Sequence, residues 1–325
     1  MSAPSPINIG VVSFPGAQRA AVLGLHDLFT LADQLAASYQ SDDQVRLSVS
    51  HWHQSDGELP PEREPPTAHG YAERLSALIL PPMLGNALEV PPNPGLCRWL
   101  VERHQEGVIL ASVCAGAFHL ASTGIMQGRR MTTHWTYGEP LQRLFPDIIV
   151  DADQLIIDDG DVISAGGLMA WTDLGLRLVD RFLGPTVMLA TARMLLVDPP
   201  GREQRYYSVF SPNLTHGDAA ILRVQHWLQA NHGRELTLGA LAEQAQLEQR
   251  TFLRRFKSAT GMTTTEYFQR LRVGRARELL QFSKLTLDRV AWDVGYADPG
   301  SFRKVFHRIV GLSPGEYRQR FKAGS

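Results

Sequence analysis

The chain has 325 residues, of which 44% are hydrophobic, enough to build the cores of two domains. Its 32 basic and 33 acidic residues give a net charge of −1, so the overall charge does not indicate nucleic acid as a partner. Two cysteines argue against a disulfide framework, apolar runs such as residues 186–196 are too short for a membrane span, and no charged-then-apolar leader opens the chain, so we expect no membrane partner and a reducing cytoplasm.

Strand-like and helix-like segments alternate along residues 7–197. Apolar runs at residues 7–14, 45–52 and 108–113 alternate with helical patterns such as residues 22–39. This alternation predicts an α/β fold, a mostly parallel sheet flanked by helices. Asp158-Asp159-Gly160-Asp161 separates two apolar segments as a hairpin turn does, so we expect the sheet to be mixed.

The sharpest local motif of this region surrounds Cys114. A buried strand, residues 108–113, delivers the cysteine into the small residues Ala115 and Gly116, which open a helix. This pattern is typical of a nucleophile elbow, and we expect the helix N-terminus to lower the pKa of the thiol. His134, which follows the next short strand, is the candidate base.

Other reactive side chains of the region favour structural interpretations. Cys97 lies in a helical segment and needs no functional account, because free cysteine is commonly buried in a core. His51 and His53 flank Trp52, an alternation typical of a strand surface. We therefore assign no metal site and expect no cofactor.

Two motifs carry a family resemblance. SVCAGAFHLASTG at residues 112–124 and MTTHW at residues 131–135, followed by residues 163–167 and 173–176, resemble the ThiJ/PfpI branch of the class I glutamine-amidotransferase-like fold, a flavodoxin-like architecture. Enzymes of that family place an acidic residue near the end of the first strand and two glycines after the third strand.

This chain departs from the enzymatic pattern at both places. No carboxylate follows Phe14 before Asp27, and the third strand ends in Pro81-Pro82, which supplies no amide donor. Three interpretations of Cys114 stay open: a residue of a regulatory ligand pocket, a buried structural thiol, or a catalytic nucleophile. We favour the pocket, at the carboxyl ends of the strands with Cys114, His134 and Asp27, and assign no catalytic residue.

Charge and composition change near residue 198. The Pro- and Gly-containing segment 198–217 is the predicted linker between an N-terminal domain, residues 1–197, and a C-terminal domain, residues 218–325. The C-terminal domain has 18 Lys and Arg against 10 Asp and Glu, whereas the rest of the chain has 14 against 23. A basic domain of this size is expected to bind DNA phosphates in a salt-dependent manner.

The C-terminal domain contains a sequence repeated twice. Leu236 pairs with Leu285 at an offset of 49 residues, and after a one-residue insertion Phe256 pairs with Phe306 at an offset of 50. Each copy has apolar residues at helical spacing, a short break, and a second helical run carrying two phenylalanines. A helix, a short turn and a second helix make the helix-turn-helix pattern.

The second helix of each copy has an outward face of mostly basic or small residues. A recognition helix must offer donors to base edges while its neighbours hold phosphates. A single amphipathic helix with surface arginines could equally be the solvated face of a helical bundle. Two aligned copies of the pattern favour DNA recognition instead. The predicted DNA-contacting residues are Arg250, Thr251, Leu253, Arg254, Gly300, Ser301, Arg303 and Lys304.

The repeat resembles the double helix-turn-helix module of the AraC-type transcription regulators over about residues 218–322. Residues 290–298, 301–306 and 311–318 carry the family signature, whereas the first copy has Gln246 in place of a turn glycine, so we expect its turn to be less regular. The resemblance implies that a long helix, about residues 265–282, places both recognition helices in successive major-groove segments, with half-sites one helical turn apart.

Joined to a ThiJ/PfpI-like domain, this module resembles the GlxA-type regulators. We therefore expect a non-enzymatic, sequence-specific DNA-binding regulator with a metabolite-sensing or self-associating N-terminal domain. Its expected partners are double-stranded DNA, a small-molecule effector, a second copy in a homodimer and, for an activator, RNA polymerase. The alternative is a Cys-dependent hydrolase of the ThiJ/PfpI type with a DNA-binding appendage.

Overall fold

The computed structural model describes residues 6–39, 46–55, 59–65, 74–89, 93–198, 203–208, 210, 212–214, 216–230 and 237–322. The chain divides into two compact units, Met1–Gln204 and Arg205–Ser325. The division falls inside the predicted linker segment. Within the described ranges, no helix is both long and apolar enough to cross a lipid bilayer.

A β-sheet forms the centre of the N-terminal unit. Within the described part of that unit, seven strands run in the order β3-β2-β1-β4-β5-β9-β8, and β6 pairs with β7 as a separate parallel ribbon. The strands are β1 (Ile7–Ser13), β2 (Leu47–His53), β3 (Glu62–Arg63), β4 (Ala77–Leu80), β5 (Ile109–Val113), β6 (Arg130–Met131), β7 (Ile149–Val150), β8 (Ile156–Asp158) and β9 (Val162–Ala165).

The pairing confirms the predicted mixed sheet. The five central strands are mutually parallel, and the edge strands β3 and β8 are antiparallel to their neighbours. The β8–β9 hairpin turns at Asp158–Asp161, where Gly160 has φ of 90° and its amide donates to Asp158 Oδ1. β4 and β9 are buried along their whole length, as expected for strands covered by helices on both faces.

Helices cover the sheet because each has an apolar face. The helices α1 and α5 pack against each other, where Gly24 and Gly175 allow the side chains of Trp171 and Leu28 to approach. The helices of this unit are α1 (Arg19–Tyr39), α2 (Pro94–Gln105), α3 (Gly116–Ala121), α4 (Gly138–Leu144), α5 (Trp171–Leu183) and α6 (Pro185–Leu195).

The C-terminal unit is helical in its described residues and has two small cores. The first core contains Phe252 and Phe256, and the second contains Phe302 and Phe306, all four fully buried. Burial of each ring contributes about 1.5–3 kcal/mol. The helices are α7 (Ala219–Ala230), α8 (Leu238–Ala245), α9 (Gln249–Thr260), α10 (Thr264–Phe282), α11 (Leu287–Asp293), α12 (Pro299–Val310) and α13 (Pro314–Phe321).

The sequence repeat is a structural repeat. In each copy a tyrosine stacks edge-on against the second phenylalanine, Tyr267 on Phe256 with 5.2 Å between ring centroids and Tyr317 on Phe306 with 5.5 Å. Both recognition helices end at a glycine with positive φ, Gly261 and Gly311. The predicted joining helix is confirmed as α10, which supplies residues to both cores.

The turn of the first copy is as regular as that of the second, so the expectation of a less regular turn is wrong. Gln246 takes the left-handed conformation, with φ of 57°, that Gly295 takes at 85°. The same backbone bond closes both turns: the Leu247 amide donates to Ala242 O, and the Tyr296 amide to Ala291 O, each at 2.9 Å. The surrounding helices impose the turn, and the glutamine bears a cost of about 1 kcal/mol.

Candidate nucleic-acid interface and ligand site

The recognition helices α9 and α12 expose the residues expected to reach DNA. Phe252, Phe256, Phe302 and Phe306 face the cores and have no exposed surface. The opposite faces of both helices are solvent-exposed, apart from Thr251, which is half-buried. The exposed residues are Arg250, Leu253 and Arg254 on α9, and Gly300, Ser301, Arg303 and Lys304 on α12.

The two helix starts differ in their electrostatics. Asp298 caps α12, where its carboxylate accepts from the amides of Gly300 and Ser301 and from the Ser301 hydroxyl, and these hydrogen bonds lower its pKa. Glu248 takes the corresponding position before α9 without a side-chain cap. The Glu248 side chain therefore does not accept hydrogen bonds from the backbone amides at the start of α9. A phosphate oxygen of DNA can accept hydrogen bonds from these amides.

Two of the predicted DNA-contacting residues of α12 have intramolecular partners. Ser301 Oγ donates to Asp298 at 2.7 Å, and Arg303 Nη2 donates to Asp288 of α11 at 2.7 Å. Arg303 and Asp288 are each about half exposed, so their ion pair is weak and a phosphate or base edge competes with it. The pair holds the guanidinium on the exposed side of the helix.

On α9, neighbouring arginines have different roles. Arg255 donates to both Asp218 oxygens at 2.7 and 2.9 Å, which ties the start of α7 to α9. Asp218 also accepts from the amides of Ala220 and Ile221, and the Arg255 guanidinium together with these bonds lowers its pKa. Arg254, the preceding residue of α9, is exposed to solvent, so its guanidinium is accessible to the edge of a DNA base.

Cys114 is located in a strained turn at the carboxyl end of β5. Its φ is 53°, its amide donates to Ala165 O at 2.7 Å, and its carbonyl accepts from Thr133 Oγ1 at 2.7 Å. A Cβ at Gly116 would lie 2.5 Å from Leu80 O and 2.7 Å from Pro81 O. The backbone after β4 thus packs closely against the elbow at Gly116, and Pro81 and Pro82 have no backbone N–H to donate there.

The thiol itself is protected rather than activated. Cys114 is 2% exposed, and burial raises its pKa to about 11 although the Ala115 backbone opposes the rise. The expectation of a lowered pKa is wrong, because desolvation of the buried thiolate outweighs the opposing hydrogen bond from the Ala115 backbone. At neutral pH the group is a thiol.

The three predicted ligand residues have different surroundings. His134 is half-buried beside Trp135 and Tyr137, with Nδ1 2.7 Å from the Thr136 hydroxyl, and its neighbour Thr133 is the residue bonded to Cys114. Burial lowers the pKa of His134. Asp27 is exposed on α1, and no hydrogen bond or ion pair among the described residues joins it to Cys114 or His134.

Two buried residues of this region were not identified from the sequence. His119, 6% exposed on α3, packs its ring edge-on against Phe14 at 4.6 Å, and burial lowers its pKa to about 4. Gln204, 3% exposed, extends its amide among Thr132, Thr133 and Gln154. The signal for His119 was its position five residues after Cys114, whereas local sequence gave none for Gln204.

Sequence families match each unit. A helix-turn-helix domain family matches residues 241–320, and the DJ-1/PfpI family matches residues 71–181. The first match contains α9 and α12 with both turns. The second contains β4, β5, the Cys114 elbow and β9.

Two relatives and one solved structure are similar to much of the chain. The chain is 26% identical over 275 residues to the HTH-type transcriptional regulator ArgR of Pseudomonas aeruginosa, with 82% of each chain covered. It is 27% identical to the HTH-type transcriptional regulator GlxA of Rhizobium meliloti, covering 66% of each. The crystal structure of Drosophila melanogaster DJ-1beta is similar with a TM-score of 0.46 and 18% identity, over 59% of this chain and 99% of that one. The chain is thus similar to the DJ-1/PfpI family in its N-terminal unit and to a helix-turn-helix domain family in its C-terminal unit, and it is similar to proteins named HTH-type transcriptional regulators.

Proposed function

We propose that the protein is a sequence-specific, DNA-binding transcription regulator whose N-terminal unit responds to a small metabolite. The observation that carries the proposal is the pair of recognition helices, each anchored by two buried phenylalanines and each exposing polar and basic residues on its outer face. Such a face serves to read base edges and hold phosphates. The similarity to proteins named HTH-type transcriptional regulators supports it.

The proposed role of each recognition residue follows from its position. Arg250 and Arg254 on α9, with Arg303 and Lys304 on α12, supply the cationic donors. Thr251 and Ser301 supply hydroxyl groups, and Gly300 allows the backbone to approach the DNA closely. Leu253, 39% exposed, supplies an apolar surface suited to a thymine methyl group.

The N-terminal unit is proposed as a sensor and not as an enzyme. Burial raises the pKa of the Cys114 thiol to about 11, which disfavours the nucleophilic thiolate at neutral pH, and Pro81 and Pro82 supply no backbone amide donors after β4. We place the effector at the carboxyl ends of β5 and β9, near Cys114 and His134, where open α/β sheets bind ligands. Asp27, being exposed on α1, is the least supported of the three ligand residues.

The partners proposed are double-stranded DNA, one small-molecule effector and a second copy of the chain, with RNA polymerase added for an activator. The compartment we propose is the cytoplasm, because a DNA-binding regulator must reach the DNA of its cell. Concentration-dependent mass measured by light scattering, with and without DNA, tests the homodimer. A mass that stays monomeric under both conditions would remove that partner.

The first experiment is retention of genomic DNA. Full-length protein is incubated with sheared DNA of its source at near-physiological salt, and the retained fragments are sequenced beside those retained by a variant with Arg254 and Arg303 replaced by alanine. We expect a few discrete sites that the variant loses. Retention without sequence preference by both proteins would refute specific regulation.

The hydrolase alternative rests on one observation, the positive φ of Cys114, which is typical of a nucleophile held on an elbow. Its test is turnover of amide and aldehyde substrates by wild type and Cys114→Ala. Turnover lost in the variant would establish the enzyme. Equal, negligible turnover by both proteins is the result expected for a sensor.

A further inference from the structure

Gln204 is the last residue of the N-terminal unit, and its side chain is buried in that unit. Its amide nitrogen donates to Thr133 O at 2.8 Å, Gln154 O at 3.0 Å and Thr132 Oγ1 at 3.1 Å. Its Oε1 accepts from the Trp135 amide at 3.2 Å. The three acceptors share the two hydrogens of the amide nitrogen, and withdrawal of the whole side chain would cost the buried amide all of these partners, which holds it in one position.

The surrounding backbone is shaped to admit this side chain. A Cβ at Gly166 would lie 1.7 Å from Gln204 Nε2, so any larger residue there would displace the amide. The backbone amide of Gln204 donates to Asp153 O at 3.1 Å, and Glu203 forms an isolated antiparallel bridge with Gln154. The end of the unit is thus fixed by its main chain as well as by its side chain.

The segment held by Gln204 is the one that carries the candidate ligand site. Gln204 bonds to Thr132, Thr133 and Trp135, the residues on either side of His134. Thr133 in turn donates to Cys114 O, and the Thr132 amide donates to Ser164 Oγ of β9. A ligand that moves His134 or the elbow therefore acts on the partners of Gln204.

The next residues of the chain are fixed within the C-terminal unit. Arg277 of α10, 7% exposed, donates to the carbonyls of Arg205, at 2.7 Å, and of Ser208. Its guanidinium also lies over the ring of Tyr317, 5.4 Å from the centroid, in the second core. Since α10 supplies residues to both cores, Arg205 is attached to the helix that joins the two recognition helices.

We propose that Gln204 is a positioning residue that couples the His134 segment to α10 through the covalent chain. Gln204 and Arg205 are consecutive in the chain, and the cited hydrogen bonds lie within the N-terminal unit for Gln204 and within the C-terminal unit for Arg205. A shift of the Thr132–Trp135 backbone pulls on Gln204, and the next peptide bond passes that displacement to the carbonyl held by Arg277. This inference rests on the proposed function, because it specifies how the sensor acts on DNA binding.

The reciprocity of coupling supplies a test without the natural effector. If the segment acts on α10, then DNA bound to the recognition helices must alter the segment. The probe is a duplex of about 30 base pairs, covering two or more helical turns, taken from a retained genomic fragment. Amide hydrogen exchange of the full-length protein is followed by mass spectrometry for the peptide spanning residues 130–137, with and without the duplex.

Gln204→Met removes the hydrogen bonds and keeps the volume of the side chain. The matched control is Gln142→Met, because Gln142 holds another loop of the same unit through Pro146 O, Ile148 O and the Val150 amide. Each variant is expected to speed exchange of its own loop about tenfold, as loss of a few such bonds implies. If Gln204→Met does not fold, Gln204→Asn withdraws the amide by one methylene.

In wild type and Gln142→Met, the duplex is expected to slow exchange of residues 130–137, and in Gln204→Met this response is expected to vanish while the duplex still binds. Bound duplex with no change at residues 130–137 in wild type would overturn the coupling and leave the regulator intact. A response that persists in Gln204→Met would also overturn it. Failure of wild type to bind any duplex would refute the proposed function itself.

Discussion

Arg254 and Arg255 are neighbours in sequence that the structure assigns to different tasks, and their comparison isolates base recognition from charge. Arg255 is bonded to Asp218, whereas Arg254 is exposed on the outer face of α9. Replacing either with alanine removes one positive charge. A difference between the two variants therefore reports the position of the side chain and not the charge of the domain.

The expected loss for Arg254→Ala is that of one side-chain contact to a base edge. Such a contact contributes about 1–3 kcal/mol of discrimination, which corresponds to about 5- to 150-fold in Kd. Arg255→Ala is expected to change Kd by less than about threefold, since its guanidinium is already bonded to a carboxylate. It lowers the melting temperature instead, because it releases the link between α7 and α9.

The assay is fluorescence anisotropy with a duplex carrying a retained site and with a scrambled duplex, each at several salt concentrations. Arg254→Ala should weaken binding to the site and bring it closer to binding of the scrambled duplex. Equal losses in both variants on both duplexes would show that only charge had been removed. Unchanged affinity and preference in Arg254→Ala would refute the assignment of α9 as a recognition helix.

Three further predictions concern the elbow, its buried histidine and the turns. Cys114 should resist iodoacetamide at pH 7 in the folded protein and react only as pH rises toward 11, which peptide mapping after alkylation checks; rapid modification at neutral pH would contradict its burial. Folding lowers the pKa of His119 from 6.5 to about 4. Above pH 6.5 the free energy of unfolding therefore includes a contribution of about 3 kcal/mol from the neutral His119, and this contribution is lost as pH falls toward 4. Urea unfolding from pH 7 to pH 4 should show this loss, reduced in His119→Leu; an identical slope in both proteins would exclude His119 as its source. Gly295→Ala should lower the free energy of unfolding by about 1–2 kcal/mol, because alanine is strained in the left-handed conformation and its Cβ would lie 3.3 Å from the Arg272 guanidinium. Gln246→Ala should have little effect, because Gln246 already has a Cβ in that conformation. Equal losses in the two variants, measured by urea unfolding, would contradict this account of the turns.

The C-terminal fold could be predicted from the sequence because the pattern of apolar residues that defines its helices is local and is repeated in two copies. Alignment of Phe256 with Phe306 in the repeat identified the buried faces of the helices without knowledge of the fold. With those faces known, the exposed residues of the recognition helices were determined by helical periodicity. The strand alternation and the Asp158–Asp161 turn likewise predicted the mixed sheet.

The environment of Cys114 was not predictable in the same way. Motif spacing located the elbow, but the pKa of the thiol depends on how completely neighbouring elements cover it, and that burial is a property of packing. Gln204 was missed for a related reason. Its partners lie 50 to 72 residues earlier in the chain, and no period or spacing links a single glutamine to a loop at that distance.

The helix α10 imposes a geometric condition on the DNA that the protein can read. Its 19 residues measure about 28 Å along the axis, and its residues are built into both cores, with Tyr267 in the first and Val273 and Leu280 in the second. Because α10 is packed into both cores, it fixes the distance between them. Under the proposed function, with half-sites one helical turn apart, a base pair inserted between them would rotate one half-site by about a tenth of a turn and move it away from its recognition helix.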